Sequence, residues 1–178
     1  MRRDSASSPS GSGCSFLVSR HAFEVRLLTS NDVGLMKAML TTFGEAFEEE
    51  QTYRGAQPSA SYLERLLGND TFIALAALRG GEVIGGIAAY ELPKFEQERS
   101  EIYIYDLAVA ATERRQGVAT ALIEELKRIG ASRGAWVVFV QADAGDSPAI
   151  ALYSKLGTRE DVLHFDIPVE SESGDSLS

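Results

Sequence analysis

The apolar positions of this chain change period several times, and each change marks an element. "FEVRLLT" (residues 23–29) alternates, which predicts a first strand. Thr29, Ser30, Asn31 and Asp32 supply helix-start chemistry. Val33, Met36, Met39, Leu40, Phe43 and Phe47 then recur at helical spacing. "EEEQTYRGAQP" (residues 48–58) reads as a loop, and Tyr62, Leu63, Leu66 and Leu67 as a short second helix. "TFIALAAL", "RGGE" and "VIGGIAAY" predict a β-hairpin over residues 71–90. After the loop "LPKFEQERS", "EIYIYDLAV" (residues 101–109) has the highest strand propensity in the chain. Ala119, Leu122, Ile123, Leu126 and Ile129 mark a helix to about Ser132. "AWVVFVQA" (residues 135–142) predicts a buried strand. Ser147-Pro148 opens a helix that Gly157 stops. "DVLHFDI" (residues 161–167) closes the pattern as a last strand. The order β α α β β β α β α β, with no repeat and no long linker, predicts one α/β domain with a mixed sheet. Its βαβ unit over residues 101–142 is expected to be locally parallel.

Composition narrows the class. With 178 residues, 44% hydrophobic and 24% charged, the chain resembles an ordinary soluble domain. No apolar run approaches membrane-spanning length. Residues 1–21 and 168–178 are expected to be disordered tails around a domain at 22–167. The single cysteine, Cys14, lies in the first tail, so no intrachain disulfide can form, which fits a reducing cytoplasm. One Cys with only His21 and His164 draws no zinc pattern, and there is no G-x-S-x-G nucleophile elbow. The net charge of −9 disfavours nucleic acid and anionic membranes and favours a cationic partner.

The candidate chemistry gathers in two places. "RRQGVA" (residues 114–119) stands directly before the helix that follows the strong strand. A helix start carries unpaired N–H groups and the positive end of the dipole, and glycine lets a ligand approach the backbone. These residues suit an anion such as phosphate, although a basic loop before a helix is also common. The second place is Asp106, a carboxylate that interrupts an apolar strand and needs a cation, a donor or water. Strict alternation would put it on one face with Ile102 and Ile104. A bulge would change that phase, and the sequence does not show on which side of Asp106 a bulge falls.

Taken together, these segments resemble the GNAT N-acetyltransferases. Arg114-Arg115-Gln116-Gly117-Val118-Ala119 matches the family's acyl-CoA pattern [R/Q]-x-x-G-x-[G/A], the preceding "IYIYDLAV" stands where the family places its pantetheine-pairing strand, and "SPAIALYSKLG" matches a later A-x-x-L-Y-x-K-x-G segment. "TFIALAA", "AAYELPKFEQERSEIYIYDLAV" and "ALYSKLG" further resemble the type I aminoglycoside 3-N-acetyltransferases.

The resemblance implies a sheet of about six to seven strands flanked by about four helices. It also implies acetyl-CoA as cosubstrate without a metal, and direct acetyl transfer to the 3-amino group of a gentamicin-like aminoglycoside, giving antibiotic resistance. Backbone N–H groups from Arg115 to Thr120 would cradle the pyrophosphate, with the arginine side chains on the 3′-phosphate or in solvent. Leu107, Ala108 and Val109 would pair with pantetheine. Tyr153 would be the acid toward the departing sulfur, against the alternative of a helix-face core tyrosine. Asp106 is the candidate base, and Glu101 is the alternative acting through water. Asp143, Asp146 and Asp166, with His164, are candidates for holding the polycation, although Asp146 equally suits a helix cap. Glu48–Glu50 is a candidate acidic rim or simply a solvated face. A homodimer is the expected assembly. Rival readings are a polyamine or peptide N-acetyltransferase and an inactive acyl-CoA-binding module.

Overall fold

The structure, a computed structural model, describes residues 23–55 and 57–169. Cys14, His21 and the expected tail at 1–21 therefore lie outside the described residues, as does most of the tail at 168–178. The chain divides into two compact units, one ending at Val140 and the other beginning at Gln141.

The first unit is built on a five-stranded sheet in the order β1-β2-β3-β4-β5. β1 (Glu24–Leu27), β2 (Phe72–Arg79), β3 (Glu82–Pro93) and β4 (Ser100–Val109) form an antiparallel meander, and β5 (Ala135–Val140) joins β4 in parallel. β2 is buried along nearly its whole length. This explains its near-continuous apolar run: a strand covered on both faces loses the alternation of a half-exposed one. The parallel pair is bridged by α3 (Val118–Arg133), as the βαβ spacing predicted.

Helices cover the two faces separately. α1 (Val33–Phe47) and α2 (Ala60–Leu67) bury Met36, Met39, Phe43, Leu63 and Leu67 against Phe72, Ala74, Ala76, Ala88 and Ala108. α3 buries Val118, Leu122, Ile123, Leu126 and Ile129. It crosses the sheet where Ile102 reaches Gly130, with the side-chain end 3.0 Å from the place a Cβ would occupy. Between α1 and α2 the chain makes one π-helical turn, Gln51–Gly55, inside the stretch expected as loop.

In the second unit, α4 (Ser147–Leu156) has Asp146 as its cap, which accepts from the Ala149 N–H at 3.0 Å. Among the described residues the sheet has five strands, fewer than the six to seven expected. The difference includes residues 161–167, which form no strand. Their alternation is strand-like, but a strand exists only where a ladder satisfies its backbone. Here both parities are exposed, Val162 at 68% and Leu163 at 83%.

The seat of α1 is tight. A Cβ on Gly86 would collide with the Met39 sulfur and lie 2.8 Å from the Leu75 carbonyl oxygen. Gly86→Ala is therefore expected to destabilise the fold by about 1–3 kcal/mol through overpacking. A urea denaturation midpoint equal to that of the wild type would show that α1 is free to move aside.

Candidate active site

The bulge in β4 settles the orientation of Asp106. Ile104 pairs with Ala89 and Asp106 with Ala88, so Tyr105 is an extra residue and the bulge falls before Asp106. Residues directly opposite in an antiparallel pair share a face. Ala88 belongs to the core under α1 and α2, and so Asp106 faces that side. Tyr103, paired with Tyr90, faces it too, while Ile102 and Ile104 are buried on the α3 side. The bulge thus removes Asp106 from the face that strict alternation assigns it.

Asp106 is half-buried beneath the π-helical turn. The Tyr53 hydroxyl donates to its Oδ2 at 3.1 Å. Burial holds the Asp106 carboxyl above the usual carboxylate range; the Tyr53 bond opposes this, and the nearby Glu49 charge adds to it. Burial and Asp106 push the Tyr53 phenol well up, so it remains a donor. Tyr53 is held in turn by Phe43 and Phe47, with ring centroids 6.1 and 5.7 Å away. Beyond Asp106, Tyr90 and Tyr103 each lie within 6.0 Å, centroid to centroid, of Tyr105, and Tyr103 stacks on Phe139 at 5.1 Å. Sequence reasoning missed Tyr53. Its only signal was a lone aromatic in an otherwise polar loop.

The edge of β4 opens where this carboxylate stands. The β4–β5 ladder ends at Ile104 and Val140, while β4 continues to Val109. Ala110 donates its N–H back to the Ile84 carbonyl of β3. Alternate residues point their backbone groups to opposite sides, so Leu107 and Val109 point theirs toward the side where no residue of β5 pairs. The Val109 carbonyl accepts from Arg114 Nε at 3.2 Å; among the described residues no β5 group pairs with Leu107 or with the Val109 N–H.

The segment ahead of α3 forms the second part of the groove. Arg115 and Gly117 both take positive φ, 62° and 84°, which turns successive N–H groups toward one side. The first helical bond of α3 runs from the Ala121 N–H to the Gly117 carbonyl, so the N–H groups of Val118, Ala119 and Thr120 have no helical acceptor. A Cβ on Gly117 would meet nothing within 4 Å; the position needs glycine for its φ and leaves open space above it. This donor set fits a diphosphate.

Two side chains of the motif bond within the protein. Arg114 is exposed, and its guanidinium also reaches the Ala46 carbonyl at 3.4 Å and ties α1 to the loop. Gln116 accepts from Arg79 at 3.1 Å and donates to the Thr112 carbonyl at 3.1 Å. Among the described residues Arg115 makes no side-chain hydrogen bond, so it is the arginine available to an anion.

The remaining candidates have surroundings of their own. Glu101 pairs with Lys94 at 3.3 Å, on the order of 15 Å along β4 from Asp106. The structure does not bring the two carboxylates together. Glu49 is the member of the acidic run whose charge reaches Asp106. In the second unit, Asp146 caps α4, and the Asp143 carbonyl accepts the Asp146 N–H in a turn. Tyr153 is half-buried on α4, and burial and Asp146 raise its pKa. His164 bridges Gln141 and an exposed Asp166 at 3.1 and 3.0 Å. Among the described residues no cluster of His, Cys, Asp and Glu suits a metal ion.

Comparison with known proteins identifies the family. Residues 35–158 match the model of the acetyltransferase (GNAT) family. An aminoglycoside acetyltransferase from an uncultured soil metagenomic sample has a similar structure, with a TM-score of 0.82 and 64% identity over 84% of this chain and 99% of that one. A second soil-metagenome aminoglycoside acetyltransferase, solved in complex with sisomicin, has a TM-score of 0.78 and 29% identity over 83% of this chain and 97% of that one. An N-alpha-acetyltransferase of Sulfurisphaera tokodaii is 31% identical over 96 residues, which is 48% of this chain and 58% of that protein. The chain belongs to the GNAT acetyltransferase family, whose members use acetyl-CoA.

Gly117→Glu introduces a charge into the donor-lined space and a side chain at a φ that resists one. It is expected to abolish the thermal protection that acetyl-CoA confers on the protein. Full protection of this variant would show that the segment ahead of α3 does not hold the phosphates.

Proposed function

We propose that this N-acetyltransferase transfers the acetyl group of acetyl-CoA to the 3-amino group of a deoxystreptamine aminoglycoside of the gentamicin kind, in a ternary complex in the cytoplasm, and so confers resistance. The observation that carries the reading is the placement of Asp106: a half-buried carboxylate one residue before the open backbone of Leu107 and Val109. Similarity to the two soil-metagenome acetyltransferases supports the choice of substrate, and the net charge of −9 suits a polycation rather than nucleic acid or an anionic membrane.

In this reading each group has one task. Acetyl-CoA, when bound, supplies the acetyl thioester. Leu107 and Val109 hold its amides in register, and one N–H of this strand polarises the carbonyl as its oxygen gains charge. The N–H groups of residues 115–120 hold its phosphates. Asp106 binds the substrate ammonium and takes its proton, which frees the nitrogen lone pair to form the C–N bond as the C–S bond breaks. The sulfur leaves as a thiolate that takes a proton; Tyr153, which the family pattern names as that acid, has a raised pKa that keeps it protonated. A homodimer is the assembly we expect, to be read by sedimentation.

A second reading, acetylation of a peptide or polyamine, is favoured by the similarity to the Sulfurisphaera protein. Thiol release with gentamicin, spermidine and an N-terminal peptide in parallel separates the readings. Gentamicin is expected to be turned over fastest. Release with the peptide or spermidine alone would move the function and leave the acyl-CoA groove standing; release with none would leave a binding module.

Asp106→Asn is expected to lower kcat by at least about a hundredfold, the low end of a general base's contribution, with the acetyl-CoA KM little changed. Because burial raises the Asp106 pKa, activity in the wild type should fall as pH drops through a value above the ordinary carboxylate range. Undiminished turnover in the Asn variant would remove Asp106 as the base.

A further inference from the structure

We infer that Tyr53 is the positioning residue of the catalytic carboxylate: it holds Oδ2 of Asp106 and leaves Oδ1 to face the substrate amine. The inference rests on the reading of Asp106 as the base. Three observations carry it. The Tyr53 hydroxyl bonds one carboxylate oxygen, and among the described residues no group bonds the other. The Tyr53 ring is gripped by Phe43 and Phe47 of α1, which is itself seated on Gly86. And Tyr53 comes from the π-helical turn, 53 residues from Asp106 in sequence, so the bond ties the segment between α1 and α2 to the strand that carries the base.

A carboxylate free to rotate offers either oxygen and spends time in unproductive rotamers. With one oxygen bonded to a braced phenol, the second has a single direction. The donor is neutral, so it orients Asp106 without competing for the proton that Asp106 must accept. The bond also stabilises the ionised form, against burial and the Glu49 charge, which favour the neutral one. The other titratable groups that act on Asp106 are Tyr90 of β3 and Tyr103 of β4, both with raised pKa and so neutral across the working range. Among the described residues, Tyr53 is therefore the neighbour that lowers the proton affinity of Asp106.

Tyr53→Phe keeps the ring and its packing and removes only the donor. Two measurements test it. In the free protein, the carboxyl of Asp106 is titrated by carbon NMR with labelled aspartate, assigned by its loss in Asp106→Asn. Its pKa is expected to rise by about one unit in Tyr53→Phe, the scale of one lost hydrogen bond to a charge. In turnover of gentamicin with acetyl-CoA, the acid limb of kcat/KM should move up by the same amount. On the plateau kcat should fall at least about fivefold with the acetyl-CoA KM unchanged, and Tyr53→Phe should cost nothing further in the Asp106→Asn background.

An unmoved titration overturns the inference. So does a moved titration with an unmoved acid limb, which would make the pair structural only. If Asp106→Asn turns over normally, the base reading fails. If the wild type does not acetylate gentamicin, the proposed substrate fails, and the titration still decides whether Tyr53 holds Asp106.

Discussion

The site depends on one extra residue in β4. A carboxylate in the middle of a sheet strand has two destinations, and the even face before the bulge, with Ile102 and Ile104 packed toward α3, would strip Asp106 of water with no partner. The bulge at Tyr105 turns Asp106 to the other face, where a phenol and partial exposure make the charge tolerable. The same place is where β5 parts from β4. One irregularity therefore stands at the origin of both halves of the chemistry, a side chain that can hold an amine and a strand edge that can hold an acyl carrier.

The rest of the first unit braces that arrangement. The absence of a Cβ at Gly86 lets α1 lie close on β3, and the end of α1 brings Phe43 and Phe47 against Tyr53. Arg114 is a brace as well: it ties the Val109 carbonyl to that of Ala46, so the groove segment, the end of β4 and α1 share one guanidinium. Five of the chain's six tyrosines, at positions 53, 62, 90, 103 and 105, come from α2, β3, β4 and the π-helical turn. Tyrosine suits such a wall: it packs as a ring and still presents a neutral hydroxyl to a polar, charged substrate.

The parts legible in the sequence were those with a local cause. The hairpin, the α3 stripe and the Pro start of α4 follow from period, turn residues and caps, and the motif ahead of α3 follows from the need for bare backbone at a helix start. The phase of Asp106 was not legible, because a bulge is a property of the pairing between Ala88 and Ala89 on one strand and Ile104 and Asp106 on the other. Tyr53 was hidden for a similar reason, since a single aromatic in a polar stretch carries no period and its partner is 53 residues away. The contacts of Arg114 were not legible either, since its planar fork meets two backbone carbonyls that lie far apart in sequence. Residues 161–167 carry a strand's pattern without a strand's ladder, and a pattern cannot supply the missing partner.

The two recognition tasks use different kinds of groups, and this bears on how such a domain changes substrate. In the proposed function the carrier would be met mainly by main-chain N–H and C=O groups of Leu107, Val109 and the segment from Arg115 to Thr120, which few substitutions alter except at Gly117. In the proposed function the amine would be met by side chains: Asp106, Tyr53 bonded to it, and the aromatic residues beside them. Substitutions in that wall can re-shape the amine site without touching the backbone that holds the acyl donor. On the proposed function, a domain built this way can keep one acyl-carrier edge and change its amine by substitution around a single carboxylate.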